Sequence, residues 1–278
     1  MNITLILTSR DRKTELKRVV DSLNIQNSID YKKIQLIFVD QEDNKTIFYN
    51  LNPRIDFLYI RYHKCSLSEA RNQALPYVKN DIICFVDDDA WYDNNTFMTV
   101  EQFLDLGYDG VFGIVQNEKN IHVSVFPSQA QQLSYTNHCG AMSASMFIKF
   151  DPSLRFDENI GVGSPYNLGS GEETDYLLTY MEKHPDFNFF FTPEIVVRHP
   201  APKPCADESY FIKNYSYARG FGYVLRKHRK LPLLYKLKQL IRPLGGLIIY
   251  SFTNGQKAKK SFYLLKGRLE GFFYTVRA

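Results

Sequence analysis

The stretch Ile82-Ile-Cys-Phe-Val-Asp87-Asp88-Asp89-Ala90 constrains the fold more than any other in this chain. Five apolar residues run directly into three carboxylates. A short apolar run rich in β-branched and aromatic side chains predicts a strand covered on both faces. Helices on both faces of a mostly parallel sheet make the expected class α/β. The acids then sit at the carboxyl end of a central strand, the edge where open α/β sheets hold ligands. Three adjacent carboxylates repel one another unless a cation lies among them. Hard oxygen donors suit Mg2+ or Mn2+, which keep coordination positions open for substrate phosphates. The same residues also fit a solvated acidic turn, so the rest of the chain decides.

Upstream, Ile3–Leu7 predicts a buried strand, and Thr8-Ser9-Arg10-Asp11-Arg12 a polar loop. Leu16, Val19, Val20 and Leu23 then recur at helical spacing, and Ile34–Val39 predicts a second strand ending at Asp40. Strand, helix and strand at this length form a parallel βαβ unit. No glycine follows the first strand, which argues against a Rossmann dinucleotide site and a P-loop. Phe57–Arg61 predicts a third strand. Ser66-Leu67-Ser68-Glu69 has the capping-box pattern and opens a helix carrying Arg71 and Asn72, ordinarily a polar helix face. A helix through Phe97, Val100, Phe103 and Leu104 follows the Ile82 strand.

From Gly110 the character changes. Val111–Val115 and Ile121–Phe126 predict strands, and Gly140–Ser145 is rich in small residues. Phe156-Asp157-Glu158 precedes a glycine-bearing loop, Gly161–Gly171. Glu172-Glu173-Thr174-Asp175 then opens a helix through Met181. Acids in a first helical turn are each stabilised by about 0.3–1 kcal/mol from the helix dipole, so capping alone would account for them. Phe187–Phe191 and Ile195–Val197 read as β, ending at Arg198-His199-Pro200, where a lone histidine is ordinarily structural. After prolines 200, 202 and 204, Tyr210–Leu225 has helical spacing.

The 278 residues, 44% of them apolar, suffice for one large core or two smaller ones. Net charge is +4, unevenly spread. Lys230–Ala278 carries ten Lys or Arg against one acid; that tail is +9, which leaves the remainder at −5. No nucleic-acid partner is expected. Cysteines 65, 84, 139 and 205 lack metal-binding spacing and are expected reduced, as in a cytosolic compartment. The first residues enter a strand without a basic leader, so no signal peptide is expected. No apolar run reaches 18 residues, and Leu244–Phe252 is too short to span a bilayer.

Taken in order over about residues 1–200, these motifs resemble the inverting glycosyltransferases of family 2, with the GT-A fold. The resemblance implies that the loop of Thr8 and Arg10, with Asp40, Arg71, Asp87 and Asp88, binds a nucleotide-diphosphate sugar, a UDP-sugar in the first instance. It implies Mn2+ or Mg2+ held by Asp89 with Asp88 and His199. Asp157, Glu158 and Asp175 fall on the acceptor side. The family's usual Glu-Asp pair is here Glu172-Glu173, with Glu173 the first choice as base and Glu172 the second. The role most often implied is bacterial surface-polysaccharide synthesis on a saccharide or lipid-linked acceptor.

The expected organisation is a nucleotide-sugar half at residues 1–110, an acceptor half at 111–205 and a helical basic extension at 206–278. Leu233, Leu234, Leu237, Leu240 and Ile241 share a broad helical face in that extension, with Lys236 and Lys238 elsewhere. This pattern fits an interfacial helix on an anionic membrane surface, hence a cytoplasmic protein peripheral on the inner face of the cell membrane. Rival readings are a metal-dependent phosphatase, a sugar nucleotidyltransferase and a non-catalytic membrane-binding protein. The first expects Asp-x-Asp-x-Thr/Val near the N-terminus, where this chain has Ala90-Trp91 in mid-domain; the second wants a glycine-rich loop after strand one.

Overall fold

A computed structural model describes residues 2–10, 12–138, 142–200 and 207–276. Cys139 and Cys205, part of the small-residue run and part of the proline-rich break lie outside them. Two compact units are present: residues 1–65, 70–154 and 184–202, and residues 66–69, 155–183 and 203–278.

The first unit is built on the predicted βαβ start. Strand β1 (Ile3–Ser9) and strand β2 (Ile34–Asp40) pair in parallel, joined by helix α1 (Lys13–Asn24). Every residue of both strands is buried. Strand β3 (Asp56–Arg61) adds to β2. Helix α2 (Leu67–Ala74) precedes strand β4 (Ile82–Val86), which pairs in parallel with β1 and is wholly buried. The backbone N–H of Glu69 donates to Ser66 Oγ at 3.2 Å, one half of the expected capping box.

Strand β5 (Trp91–Tyr92), helix α3 (Thr96–Leu104), strands β6 (Gly110–Gln116), β7 (Gln131–Gln132) and β8 (Met146–Lys149), helix α4 (Glu172–Lys183) and strand β9 (Phe189–Arg198) follow. The sheet order is β3-β2-β1-β4-β8-β6-β9-β5, with β7 on β9. The architecture is the expected α/β, GT-A-like one. Residues 111–154 and 184–202 share one sheet with residues 1–110, because β8 pairs antiparallel with both β4 and β6, and β9 pairs with β6.

Two local expectations change. Ile121–Phe126 forms a single bridge, Gln116 to His122, and no strand. The tight turn at Asn117–Asn120 returns the chain beside β6, where the Val123 N–H still donates to the Val115 carbonyl, but Ile121 and Val125 then point to solvent. The two β runs near residues 187–197 are one strand, kinked by a register shift between Phe112 and Ile114 on β6. Short strands β5, β7 and β8 carry too few residues to show a period in sequence. The core is continuous from Leu16, Val19 and Leu23 through Leu5, Phe38, Cys84 and Phe97 to Val111, Phe147 and Val197.

In the second unit, α4 is joined by helices α5 (Glu208–Lys227), α6 (Leu233–Ser251) and α7 (Gly255–Phe273). Helices α5 and α7 pack closely because glycines meet backbone there: a Cβ at Gly267 would lie 2.6 Å from the Tyr215 carbonyl oxygen. Pro243, inside α6, cannot donate to the Gln239 carbonyl four residues earlier. The Arg268 guanidinium of α7 donates to that oxygen instead.

Candidate functional site

The first unit gathers polar side chains at the carboxyl ends of its parallel strands. Burial pushes the carboxyl of Asp88 up to about 6, with Asp89 and Asp87 adding repulsion; Ser9 Oγ, donating to Asp88 Oδ2 at 2.8 Å, and Arg12 only partly offset this. Asp89 is held differently. Its Oδ1 lies 3.0 Å from His199 Nε2, and its Oδ2 accepts from Arg12 Nη1 at 3.0 Å. Burial would raise its pKa, but His199 and Arg12 outweigh burial and hold it below the usual carboxylate range. Burial likewise opposes charge on His199, and Asp89 overcomes it, so the imidazole pKa is raised.

Asp87 is fixed by the pair of Arg71 and Ser143. Arg71 Nη2 donates to Asp87 Oδ1 at 3.1 Å from a side chain only 1% exposed. Ser143 Oγ donates at 3.0 Å to the same oxygen. Asp40 is fully buried at the end of β2. Its carboxylate accepts from the backbone N–H groups of Glu42 and Asn44, from Asn44 Nδ2 and from the Tyr59 hydroxyl. Burial first, then this bond to Asp40, pushes the Tyr59 phenol up to about 12. Thr8 is buried at the end of β1, and Arg10 is exposed just beyond it.

The second unit carries the other group of acids. Asp157 Oδ1 accepts from the Asn159 backbone N–H at 3.0 Å and from its side-chain amide at 2.7 Å. Lys227 Nζ donates to Asp157 Oδ2 at 2.7 Å and to Asp175 Oδ2 at 2.9 Å. His228 bridges Asp175 Oδ1, at 2.9 Å, and Glu182 Oε1, at 3.1 Å. Asp175 is therefore a buried acid of α4 paired with both Lys227 and His228. Glu172 is also buried, 3% exposed, whereas Glu173 is half-buried and Glu158 exposed. Gly161, at φ +107°, covers Glu172: a Cβ there would come within 3.2 Å of the Glu172 carboxyl carbon and 2.8 Å of Ser68 Oγ. Only glycine combines that backbone conformation with that approach.

Residues 4–151, more than half of the chain, match the model for glycosyl transferase family 2. The chain belongs to glycosyltransferase family 2.

Solved structures of similar fold agree at low sequence identity. A mannosyltransferase from Pyrobaculum calidifontis in complex with GDP-Man and Mn2+ is 12% identical, TM-score 0.69, over 98% of this chain and 87% of that one. Staphylococcus aureus TarS 1-349 is 13% identical, TM-score 0.61, over 97% and 91%. The same fragment in complex with UDP-GlcNAc is 12% identical, TM-score 0.62, with the same coverage. This chain spans 55% of the longer TarS structure. No curated protein matches the chain by sequence.

In this glycosyltransferase the structure brings Asp87, Asp88, Asp89, Arg71 and His199 into one region of the first unit, and Asp157, Glu172, Glu173 and Asp175 into the second. Among the described residues no three metal-ligating side chains converge on one point. The donor set still fits Mn2+ or Mg2+: Asp89 and His199 are already adjacent, and substrate phosphates and water ordinarily complete such a shell. A cation there would also relieve the raised pKa of Asp88. Sequence reasoning missed Ser9 and Arg12, although both lie in the loop it singled out after β1. It also missed Ser143, whose approach to Asp87 depends on pairing between strands distant in sequence and leaves no local signal.

Proposed function

We propose that this glycosyltransferase moves a sugar from a nucleotide-diphosphate donor to a saccharide acceptor, lipid-linked in the cell, with inversion at the anomeric carbon. The observation that carries this reading is the pairing of Asp89, in the family-matched segment beside Asp87 and Asp88, with His199, which follows β9 outside that segment. The fold neighbour bound to GDP-Man and Mn2+ supports the same class of donor and metal. Hexosyl or N-acetylhexosaminyl transfer, a UDP-sugar donor and a role in surface polysaccharide synthesis, peripheral on the inner face of the cell membrane, belong to the same proposal.

Asp89 and His199 would hold the cation, with Asp88 assisting. A bound Mn2+ or Mg2+ would supply Lewis-acid neutralisation of the departing diphosphate. Asp87, oriented by Arg71 and Ser143, would accept hydrogen bonds from the ribose. Arg71 thus works through Asp87. Asp40, already saturated by Asn44 and Tyr59, would shape the loop 41–44 that receives the base. Residues 1–110 would form most of the donor half, and Glu173, in the second unit, would take the proton from the acceptor hydroxyl.

Calorimetric titration with UDP, GDP and dTDP tests the donor site. One of them should bind with Mn2+ present, and chelator should weaken it strongly. Asp89→Asn should weaken that metal-dependent binding by at least about tenfold, the lower range for damage to a metal site. Equal affinity with Mn2+ and with chelator, for whichever nucleotide binds, would overturn the metal site.

A further inference from the structure

Helix α6 is inside out. A helix packed on its neighbours in water turns its apolar stripe inward. In α6 the buried residues are Lys236, Leu240 and Pro243. Leu234, Leu237, Ile241, Leu244 and Ile248, with Phe252 just beyond the helix, recur at intervals of three and four and are 41–87% exposed. Leu233 and Ile249 widen the strip and are exposed too. Leu240, expected from the sequence on this outer face, faces inward because it is one residue out of step with the row. The strip runs the 19 residues of the helix, about 28 Å at 1.5 Å per residue.

The charge around this strip selects what covers it. Between Glu208 and Glu270 there are fourteen Lys or Arg and no acid. Lys238 and Arg242, both exposed, lie along the strip, and neither has an ion-pair partner among the described residues. Lys236, expected to point elsewhere, is buried, whereas Lys238 stands at the margin of the strip. A second copy of the chain would bring the same uncompensated cations against these. No described helix is long and apolar enough to cross a membrane. We infer that the outer face of α6 lies in the interface of an anionic bilayer, with Leu234, Leu237, Ile241, Leu244, Ile248 and Phe252 among the acyl chains and Lys238 and Arg242 at the headgroups. This names the surface behind the proposed lipid-linked acceptor, yet it rests on α6 alone and does not need the transferase reading.

Vesicles of phosphatidylglycerol and of phosphatidylcholine, sedimented with the full chain, test it. The chain should sediment with the first and not the second, and raised salt should release it. Lys238→Ala and Arg242→Ala should each weaken binding about fivefold, the equivalent of about 1 kcal/mol per headgroup contact. Leu237→Ser with Ile241→Ser and Ile248→Ser should abolish binding. An Ile248→Trp variant should gain an emission that brominated phosphatidylglycerol quenches. An unquenched Ile248→Trp, or serine variants that bind like the wild type, would overturn the inference. A stable dimer by light scattering that the serine variants dissolve would overturn it as well, by giving the face to a second copy. Vesicle binding is read without turnover, so Glu173→Gln should sediment as the wild type does; failure of the transferase reading and failure of this one are separable.

Discussion

Glu173→Gln is expected to lower turnover by roughly 10²–10⁴-fold while leaving nucleotide binding intact, the usual worth of a positioned general base. Two carboxylates compete for the role, and their surroundings differ. Glu172 is packed under Gly161, 3% exposed, where an acceptor hydroxyl has no access without moving the loop. Glu173 is half-buried on the first turn of α4, reachable by a substrate oxygen. Glutamine keeps the shape of glutamate and removes the proton acceptor, so chemistry is lost and packing is kept. Glu172→Gln should instead act mainly on stability. Measuring kcat and nucleotide affinity for both variants decides the point. Full turnover in Glu173→Gln beside a folded but inactive Glu172→Gln would move the base one residue back. Full turnover in both would make the pair a helix cap with no part in proton transfer.

The parts of this molecule legible in sequence were those whose signal is local. Strands β1, β2 and β4 announced themselves because burial on both faces demands an unbroken apolar run, and the acids at their ends followed from chain order. Strand β8, four residues long, has no such signal; it is held by antiparallel pairing with both β4 and β6, which are distant from it or from each other in sequence. The partners of the acids were the least visible. Ser143 lies 56 residues from Asp87, and Arg71 reads in sequence as a helix-surface cation although it is 1% exposed and paired. The outward stripe of α6 was legible as periodicity, but which side it faces was not, since amphipathic spacing has no sign until the packing is known.

Asp175→Ala is expected to destabilise the protein by about 3–5 kcal/mol, the cost of removing one partner from a buried charge pair. Asp175 receives both Lys227 and His228 at 2.9 Å and is 1% exposed. Alanine would leave His228, 2% exposed, with Glu182 alone, and would deprive the Lys227 ammonium of one of its two carboxylates. Urea unfolding followed by circular dichroism measures the loss; a change under about 1 kcal/mol, the scale of an exposed pair, would show that water already screens this network. Its pH dependence has a defined sign. Burial raises the Asp157 pKa, but Lys227 and Asn159 outweigh it and hold the group below its ordinary 3.8. That contribution is present above about pH 4 and is lost as pH falls through the depressed value. Burial lowers the Lys227 pKa, but Asp175 and Asp157 outweigh it and raise the group above 10.5. That contribution is complete below about pH 10 and is lost as pH rises through the raised value. Between those limits Asp157 and Lys227 keep their charges, so the ion pair they form does not change with pH there. Because Glu173 lies two residues before Asp175 on the same turn of α4, the network that holds Asp175 also fixes where the proposed base stands. Asp175→Asn, which keeps the shape but weakens both bonds, should therefore lower kcat of the folded protein as well as its stability.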